Sequence, residues 1–314
     1  MTGGDATPNL YIVVPCYNEE EIIEWSYNTL KKKYNELVAD LIISQDSKIV
    51  FVNDGSSDAT REKIEGFCEN DKNIVLINFS RNFGHQSAIL AGMLYSRNYC
   101  DAVITIDADL QQDINAIVDF LNEYKKGNDV VYGIRNDRKT DGFFKKSTAT
   151  LFYKMMRALG SNVIENSADY RLLSRKALDT LNDYSETNLF LRGLIPLMGY
   201  KSGVVHFDVF PRTAGKSKYT MKKMLNLAVN GVTSLSTKPI HLVTAMGVIM
   251  CLISLIILIY GCVSNSVADL GIKVSIWLVG GLILCAQGII GEYIGKMYFE
   301  TKKRPRYIID SIIE

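Results

Sequence analysis

Proline, histidine and tryptophan are scarce in this chain, with 6, 3 and 2 copies among 314 residues, and neither sign of charge is in excess: 35 Lys and Arg meet 34 Asp and Glu. Little proline and balanced charge are the opposite of what keeps a chain disordered. With no basic surplus, binding to nucleic acid through bulk positive charge is excluded. The six cysteines form no Cys-x-x-Cys pair, so neither a zinc module nor a disulfide framework is expected, and the thiols should stay reduced in a cytoplasmic setting. His85, His206 and His241 have no metal-ligand spacing and read as structural or interfacial. No Gly-x-Gly-x-x-Gly follows the first apolar run, which removes the dinucleotide fingerprint. Gly215-Lys216-Ser217 imitates the end of a P-loop, but Phe210 stands where that loop needs its first glycine.

Charge is missing most completely from two stretches. Leu242 to Val263 is 22 residues without an ionisable Asp, Glu, Lys or Arg, and Val274 to Gly291 is a further 18. At 1.5 Å per residue the first is long enough for a hydrocarbon core of about 30 Å, so the pair reads as a transmembrane hairpin with spans near 242–263 and 274–294. Arg212, Lys216, Lys218, Lys222, Lys223 and Lys238 precede it with no acidic residue among them, and Lys296, Lys302, Lys303, Arg304 and Arg306 follow it. Cations stay on the cytoplasmic side, so both termini and the N-terminal domain are expected there, at the cell's inner or plasma membrane. The polar first nine residues, followed by only a short apolar run from Leu10 to Pro15, do not read as a secretory leader. Residues 219–235 have helical apolar spacing beside Lys222 and Lys223 and read as an amphipathic helix on the headgroups. Gly280-Gly281 and Gly288 with Gly291 suit close packing of spans, and a homo-oligomer is expected.

The first 211 residues read as one α/β domain, followed by a basic juxtamembrane segment 212–240, the hairpin 241–295 and a C-terminal tail 296–314. Apolar, β-branched runs at Tyr11–Val14, Ile49–Val52, Ile74–Phe79, Ala102–Ile106 and Val130–Tyr132 alternate with helical patterns at Glu20–Val38, Asp58–Asn70, Gly84–Asn98 and Asp113–Lys125. That alternation predicts a mainly parallel, Rossmann-like sheet with flanking helices, with ligands at the carboxyl ends of its strands. Polar clusters stand at those ends: Pro15 to Glu19, Asn53 to Asp58, Ser80 to His85, Asp107 to Gln111, and Gly133 to Arg135. One such Asp-Gly end is an ordinary turn, with Ser56 or Ser57 capping the next helix; five in succession predict a site. Asp107-Ala108-Asp109, with Gln111, supplies hard oxygen ligands and no sulfur or imidazole, which suits Mg²⁺ or Mn²⁺ sharing its coordination with phosphate.

Taken with VVPCYNEE, VNDGSSDAT, FSRNFGHQSAILAGM, IDADLQQD, GIRNDR, NSADYRLLSR and RTAGKSKY, the chain resembles the inverting glycosyltransferases of family 2 with the GT-A fold. Within them it is similar to the polyprenyl-phosphate enzymes, the dolichol-phosphate mannose synthases and, more closely, the bactoprenol glucosyltransferases. The mannose synthases carry Ser-Gly-Phe-Arg or similar where this chain has Ala168-Asp169-Tyr170-Arg171; the Asp form looks like the bactoprenol branch. The resemblance implies that Pro15, Tyr17, Glu19, Val52 and Asp54 cradle the base and ribose of a nucleotide sugar. It implies that Asp107, Asp109 and Gln111, with Ala108 between them, hold the metal and diphosphate, and that Arg135, Arg212 and Lys218 handle phosphate charge. Lys145, Lys146 and Arg171 are expected at the acceptor phosphate, and Asp109 and Asp169 are expected to be catalytic. Asp169 reads as a base, as an orienting group, or as an ordinary ion pair with Arg171 or Arg175.

The implied reaction moves a sugar to a polyprenyl phosphate held among membrane lipids, with UDP-glucose the first expected donor, UDP-N-acetylglucosamine next and GDP-mannose third. A processive polysaccharide synthase is disfavoured, because Trp25 and Trp277 are not preceded by arginine and two spans make no pore. A non-enzymatic scaffold or flippase subunit is disfavoured by the intact acidic motif.

Overall fold

The computed structural model describes residues 7–136, 164, 167–186, 190–210, scattered positions between 240 and 256, and 268–314. Its strands are β1 (Leu10–Cys16), β2 (Lys48–Asn53), β3 (Ile74–Phe79), β4 (Ala102–Thr105), β5 (Val130–Arg135), β6 (Ser167–Ser174), β7 (Ser202–Phe207) and β8 (Ile309–Ile313). The helices are α1 (Ile23–Ala39), α2 (Thr60–Asn70), α3 (His85–Ser96), α4 (Ala116–Lys125), α5 (Arg175–Asp183), α6 (Leu191–Leu197) and α7 (Ala268–Thr301). All eight strands join one sheet in the order β7-β5-β6-β4-β1-β2-β3-β8.

The inner strands are apolar on both faces because both faces are covered. Leu10, Ile12 and Val14 of β1 pack with Leu30 and Leu37 of α1, Ile64 of α2 and Phe120 of α4. The alternate residues Tyr11 and Val13 pack on the other face with Leu90 and Met93 of α3 and Leu178 of α5. Gly92 lets α3 lie against the sheet, since a Cβ there would stand 2.3 Å from Val13 Cγ1. Gly92→Ala is therefore expected to cost about 1–3 kcal/mol of stability through overpacking, read from a denaturant midpoint. An unchanged midpoint would contradict this close approach.

Strands β4, β1, β2 and β3 run parallel, and β5 runs parallel to β7. The five strands and four helices expected up to residue 132 are all present. The sheet is more mixed than expected, because β6 enters antiparallel between β4 and β5. Chain order reverses at β1, where β2 lies on one side and β4 on the other, so the crevice of this fold opens at the ends of β1 and β4.

The last residues are not a simple tail. Strand β8 pairs antiparallel with β3, Leu76 opposite Ile313 and Asn78 opposite Ser311. The Tyr307 ring stacks on Phe79 at 5.2 Å, the Ser80 N–H donates to the Ile308 carbonyl, and Asn78 Nδ2 donates to Ser311 Oγ. Residues 305–314 thus belong to the same compact unit as the sheet, whereas α7 belongs to a second unit. That helix is 34 residues long and contains the second uncharged run. Counting only described residues, no helix is long and apolar enough to cross a membrane; most of 242–263 and several side chains of α7 lie outside them.

Candidate active site

The loop after β1 is locked to the loop after β2. Asn18, in a left-handed conformation at φ 53°, donates its N–H to Ser56 Oγ at 3.0 Å and accepts the Ser57 N–H on Oδ1 at 2.9 Å. The Glu19 N–H donates to Thr60 Oγ1, and Glu20 accepts the Ala59 N–H. Ser56 is therefore occupied by Asn18 and is not the N-cap of α2, which is Ala59. On this wall Tyr17 is exposed and Glu19 partly so.

Three residues expected to cradle the nucleotide are inside the wall. Val52 is buried with Val13, Val75 and Ile77, and Pro15 is buried opposite it in β1. Buried Asp54 accepts the N–H groups of Phe83 at 2.6 Å and Gly84 at 2.9 Å. Burial raises its pKa, outweighing those two hydrogen bonds and the nearby His85 and Arg81 charges. Folding has withdrawn all three side chains from solvent. Gly55 makes the join possible: its φ is +64°, and a Cβ would stand 2.3 Å from the Arg81 carbonyl carbon. Gly55→Ala is expected to cost at least about 1–2 kcal/mol from left-handed strain alone, with a lower thermal midpoint; an unchanged midpoint would show that the loops can part freely.

At the end of β4, Asp107 is partly exposed and Ala108 buried, its carbonyl accepting the hydroxyl of Ser26 in α1. Gln112 Nε2 donates to Asp107 Oδ2 at 2.5 Å. Gln111 turns away: its Nε2 donates to the Phe210 carbonyl, and its N–H to Asp109 Oδ1. His85 Nε2, at the start of α3, lies 3.5 Å from Asp107 Oδ1 and 3.7 Å from Asp169 Oδ2. This histidine, expected to be structural or interfacial, stands between two acidic site residues. Among the described residues no three His, Cys, Asp or Glu side chains converge as a metal cluster.

Asp169 lies on β6, beside β4. Its Oδ1 accepts Arg171 Nη2 at 2.6 Å and Arg192 Nε at 3.1 Å, while Oδ2 accepts Arg192 Nη2 at 2.9 Å and Gln86 Nε2 at 3.4 Å. Burial pushes its pKa up, but Arg192, His85 and Arg171 outweigh that and hold it well below the usual carboxylate range. A carboxylate held so acidic is a poor proton acceptor near neutral pH. Of the two partners expected, Arg171 is right and Arg175 is not, because Arg175 Nε donates to the Cys100 carbonyl. Arg171, expected at the acceptor phosphate, has a side chain only 2% exposed beside Asp169, with Nε and Nη1 buried and without a hydrogen-bond partner. Burial lowers its pKa against the pull of Asp169. Arg135 is exposed at the end of β5. Lys145, Lys146, Arg212 and Lys218 lie outside the described residues.

Residues 11–181 match the sequence pattern of the family described as Glycosyl transferase family 2. The chain belongs to that family. Among its relatives, an uncharacterized glycosyltransferase of Bacillus subtilis strain 168 is 44% identical over 308 residues, covering 96% of this chain and 91% of the relative. A prophage bactoprenol glucosyl transferase homolog of Escherichia coli K12 is 38% identical over 311 residues, covering 96% and 98%. The bactoprenol glucosyl transferase of Shigella phage SfX is 38% identical over 307 residues, with the same coverage.

In this family 2 glycosyltransferase, Asp107 and Asp169, both expected at the site, are joined by three residues that were not expected there: His85, Gln112 and Arg192. His85 carried a readable signal, since it follows the polar end of β3 and opens α3. Arg192 carried none: it lies 23 residues beyond Asp169, past helix α5, in a stretch with no motif of its own.

Proposed function

We propose that this glycosyltransferase transfers a sugar, glucose from UDP-glucose first among candidates, to polyprenyl phosphate at the cytoplasmic face of the membrane, inverting the anomeric centre. The observation that carries the reading is a pair of carboxylates, Asp107 and Asp109, at the strand-order reversal, with the cationic Asp169 cluster beside them on β6. Near full-length similarity to two proteins named as bactoprenol glucosyl transferases or homologs supports the acceptor class.

The donor set fits a hard divalent ion. Mg²⁺ and Mn²⁺ take few carboxylates and fill their remaining positions with phosphate oxygen and water, so two aspartates without a third protein acid suffice. Asp107 and Asp109 would hold the ion; the Gln111 amide would add an oxygen only by leaving the Phe210 carbonyl to which its Nε2 donates. When bound, the ion supplies charge neutralisation for the departing nucleoside diphosphate. Tyr17 offers a ring to the base and Glu19 a carboxylate to the ribose. Arg135, with Arg212 and Lys218, adds positive charge for the diphosphate. No strong base is needed, because a phosphate monoester is already an anion at neutral pH, with a second pKa of about 6.

Two long uncharged runs flanked by cations support a membrane hairpin with both ends cytoplasmic. Lys145, Lys146, Lys222 and Lys223 would then gather anionic headgroups. The test gives membranes holding the protein a labelled nucleotide sugar and undecaprenyl phosphate. Label should enter the organic phase, most strongly from UDP-glucose. A long water-soluble labelled polymer, or no transfer from UDP-glucose, UDP-N-acetylglucosamine or GDP-mannose, would overturn the reading.

A further inference from the structure

Asp169 is one carboxylate held between two guanidiniums, and the three side chains together carry an excess positive charge. That excess is not spread evenly. Arg171 is 2% exposed and Asp169 8%, whereas the Arg192 side chain is 28% exposed. Arg171 meets one oxygen of Asp169 from the buried side, and Arg192 is held side-on through Nε and Nη2. A planar guanidinium gripped along one edge is fixed in orientation, which is what recognition of a phosphate requires. The partner-less Nε and Nη1 of buried Arg171 show that its charge is kept at a cost in hydrogen bonding.

Position selects the phosphate. The wall built from Tyr17, Asn18 and Glu19 closes the ends of β1 and β2, and Asp107 follows β4. Strand β6 lies on the far side of β4 from β1 and β2. A donor with its base on that wall and its diphosphate at Asp107 leaves the β6 side for the group that attacks. We propose that Arg192 grips the acceptor's phosphate and that Asp169 is a positioning residue, held by Arg171 so that it can aim Arg192. The inference rests on the proposed transfer to a polyprenyl phosphate.

Steady-state kinetics of Arg192→Gln, Arg192→Lys, Asp169→Asn and the Asp169→Asn/Arg192→Gln double variant, in the full-length protein, test it. Arg192→Gln should raise the KM for polyprenyl phosphate by about tenfold or more, the loss of a charge-assisted hydrogen bond, while the donor KM moves by less than about twofold. Arg192→Lys should recover part of that loss, which a purely structural role would not show. Asp169→Asn should behave like Arg192→Gln, and the double variant should be little worse than either single one. A rise in the donor KM alone, an unchanged acceptor KM, or a further fall in kcat on adding Asp169→Asn to Arg192→Gln would overturn the proposal.

Equilibrium binding of farnesyl phosphate, with farnesol as control, separates this inference from the transfer reading. Phosphate-dependent binding that weakens about tenfold in Arg192→Gln supports it even where no sugar is transferred, which would count against the transfer reading alone. Equal binding by wild type and variant, or none by wild type, overturns it. Should Arg192→Gln fail to fold, the same two measurements on Arg192→Lys decide, with an intermediate loss expected and no loss contradictory.

Discussion

Asp169→Ala is expected to lower the stability of the sheet domain by about 3–5 kcal/mol, the cost of breaking a buried ion pair by removing one partner. The loss is large because Arg171 has no exit to solvent and would remain charged opposite Arg192 with nothing between them. Thr105 ties the backbone here as well, its hydroxyl donating to the Asp169 carbonyl, so the strand itself should persist. Asp169→Asn keeps the shape and should cost less. The pH dependence has a definite sign. Because the folded carboxyl is held below its unfolded value of about 3.9, its stabilising contribution is present above that value and lost as pH falls through the folded pKa. The stability gap between wild type and Asp169→Asn, measured by urea unfolding, should be level from neutral pH to about 5 and shrink below about 4. A gap that instead opens on acidification would mean that Asp169 is protonated in the folded protein and that the arginine clamp is misread.

Asp107→Asn should have the largest effect on turnover, a loss of about 10²–10³-fold in kcat, the size seen when one preorganised electrostatic group is removed. The fold should survive, because Asp107 is partly exposed and its loop is held independently through the Ala108 carbonyl and Ser26. Equal thermal midpoints with collapsed turnover would place the effect in chemistry. Turnover within about threefold of wild type, too small for a group on the reaction path, would remove Asp107 from the machinery.

The five leading strands and four helices were legible because β-branched runs buried on both faces leave an unbroken apolar signature. Strand β6 was not, since SADYRLLS contains Asp169 and Arg171, whose charges disguise a buried strand until their pairing is seen. Strand β8 was hidden for another reason: it follows the cationic run Lys302 to Arg306, and its partner β3 lies more than two hundred residues earlier. The acidic motif was legible as chemistry but not in its detail. Leu110 adopts φ 44°, and beyond it Gln112, rather than Gln111, reaches Asp107. Pro15, Val52 and Asp54, expected beside a nucleotide, are buried, a property that depends on packing and not on residue type.

The proposed function has Asp107 and Asp109 support a metal-dependent transfer of sugar to a lipid phosphate. The direct measurement is organic-extractable label from labelled UDP-glucose and undecaprenyl phosphate, taken with wild-type and Asp109→Asn membranes side by side, with Mn²⁺ or with excess chelator. Labelled lipid is expected from wild type with Mn²⁺, almost none with chelator, and almost none from Asp109→Asn in either condition. Undiminished labelled lipid from Asp109→Asn, or from wild type under chelation, would contradict it.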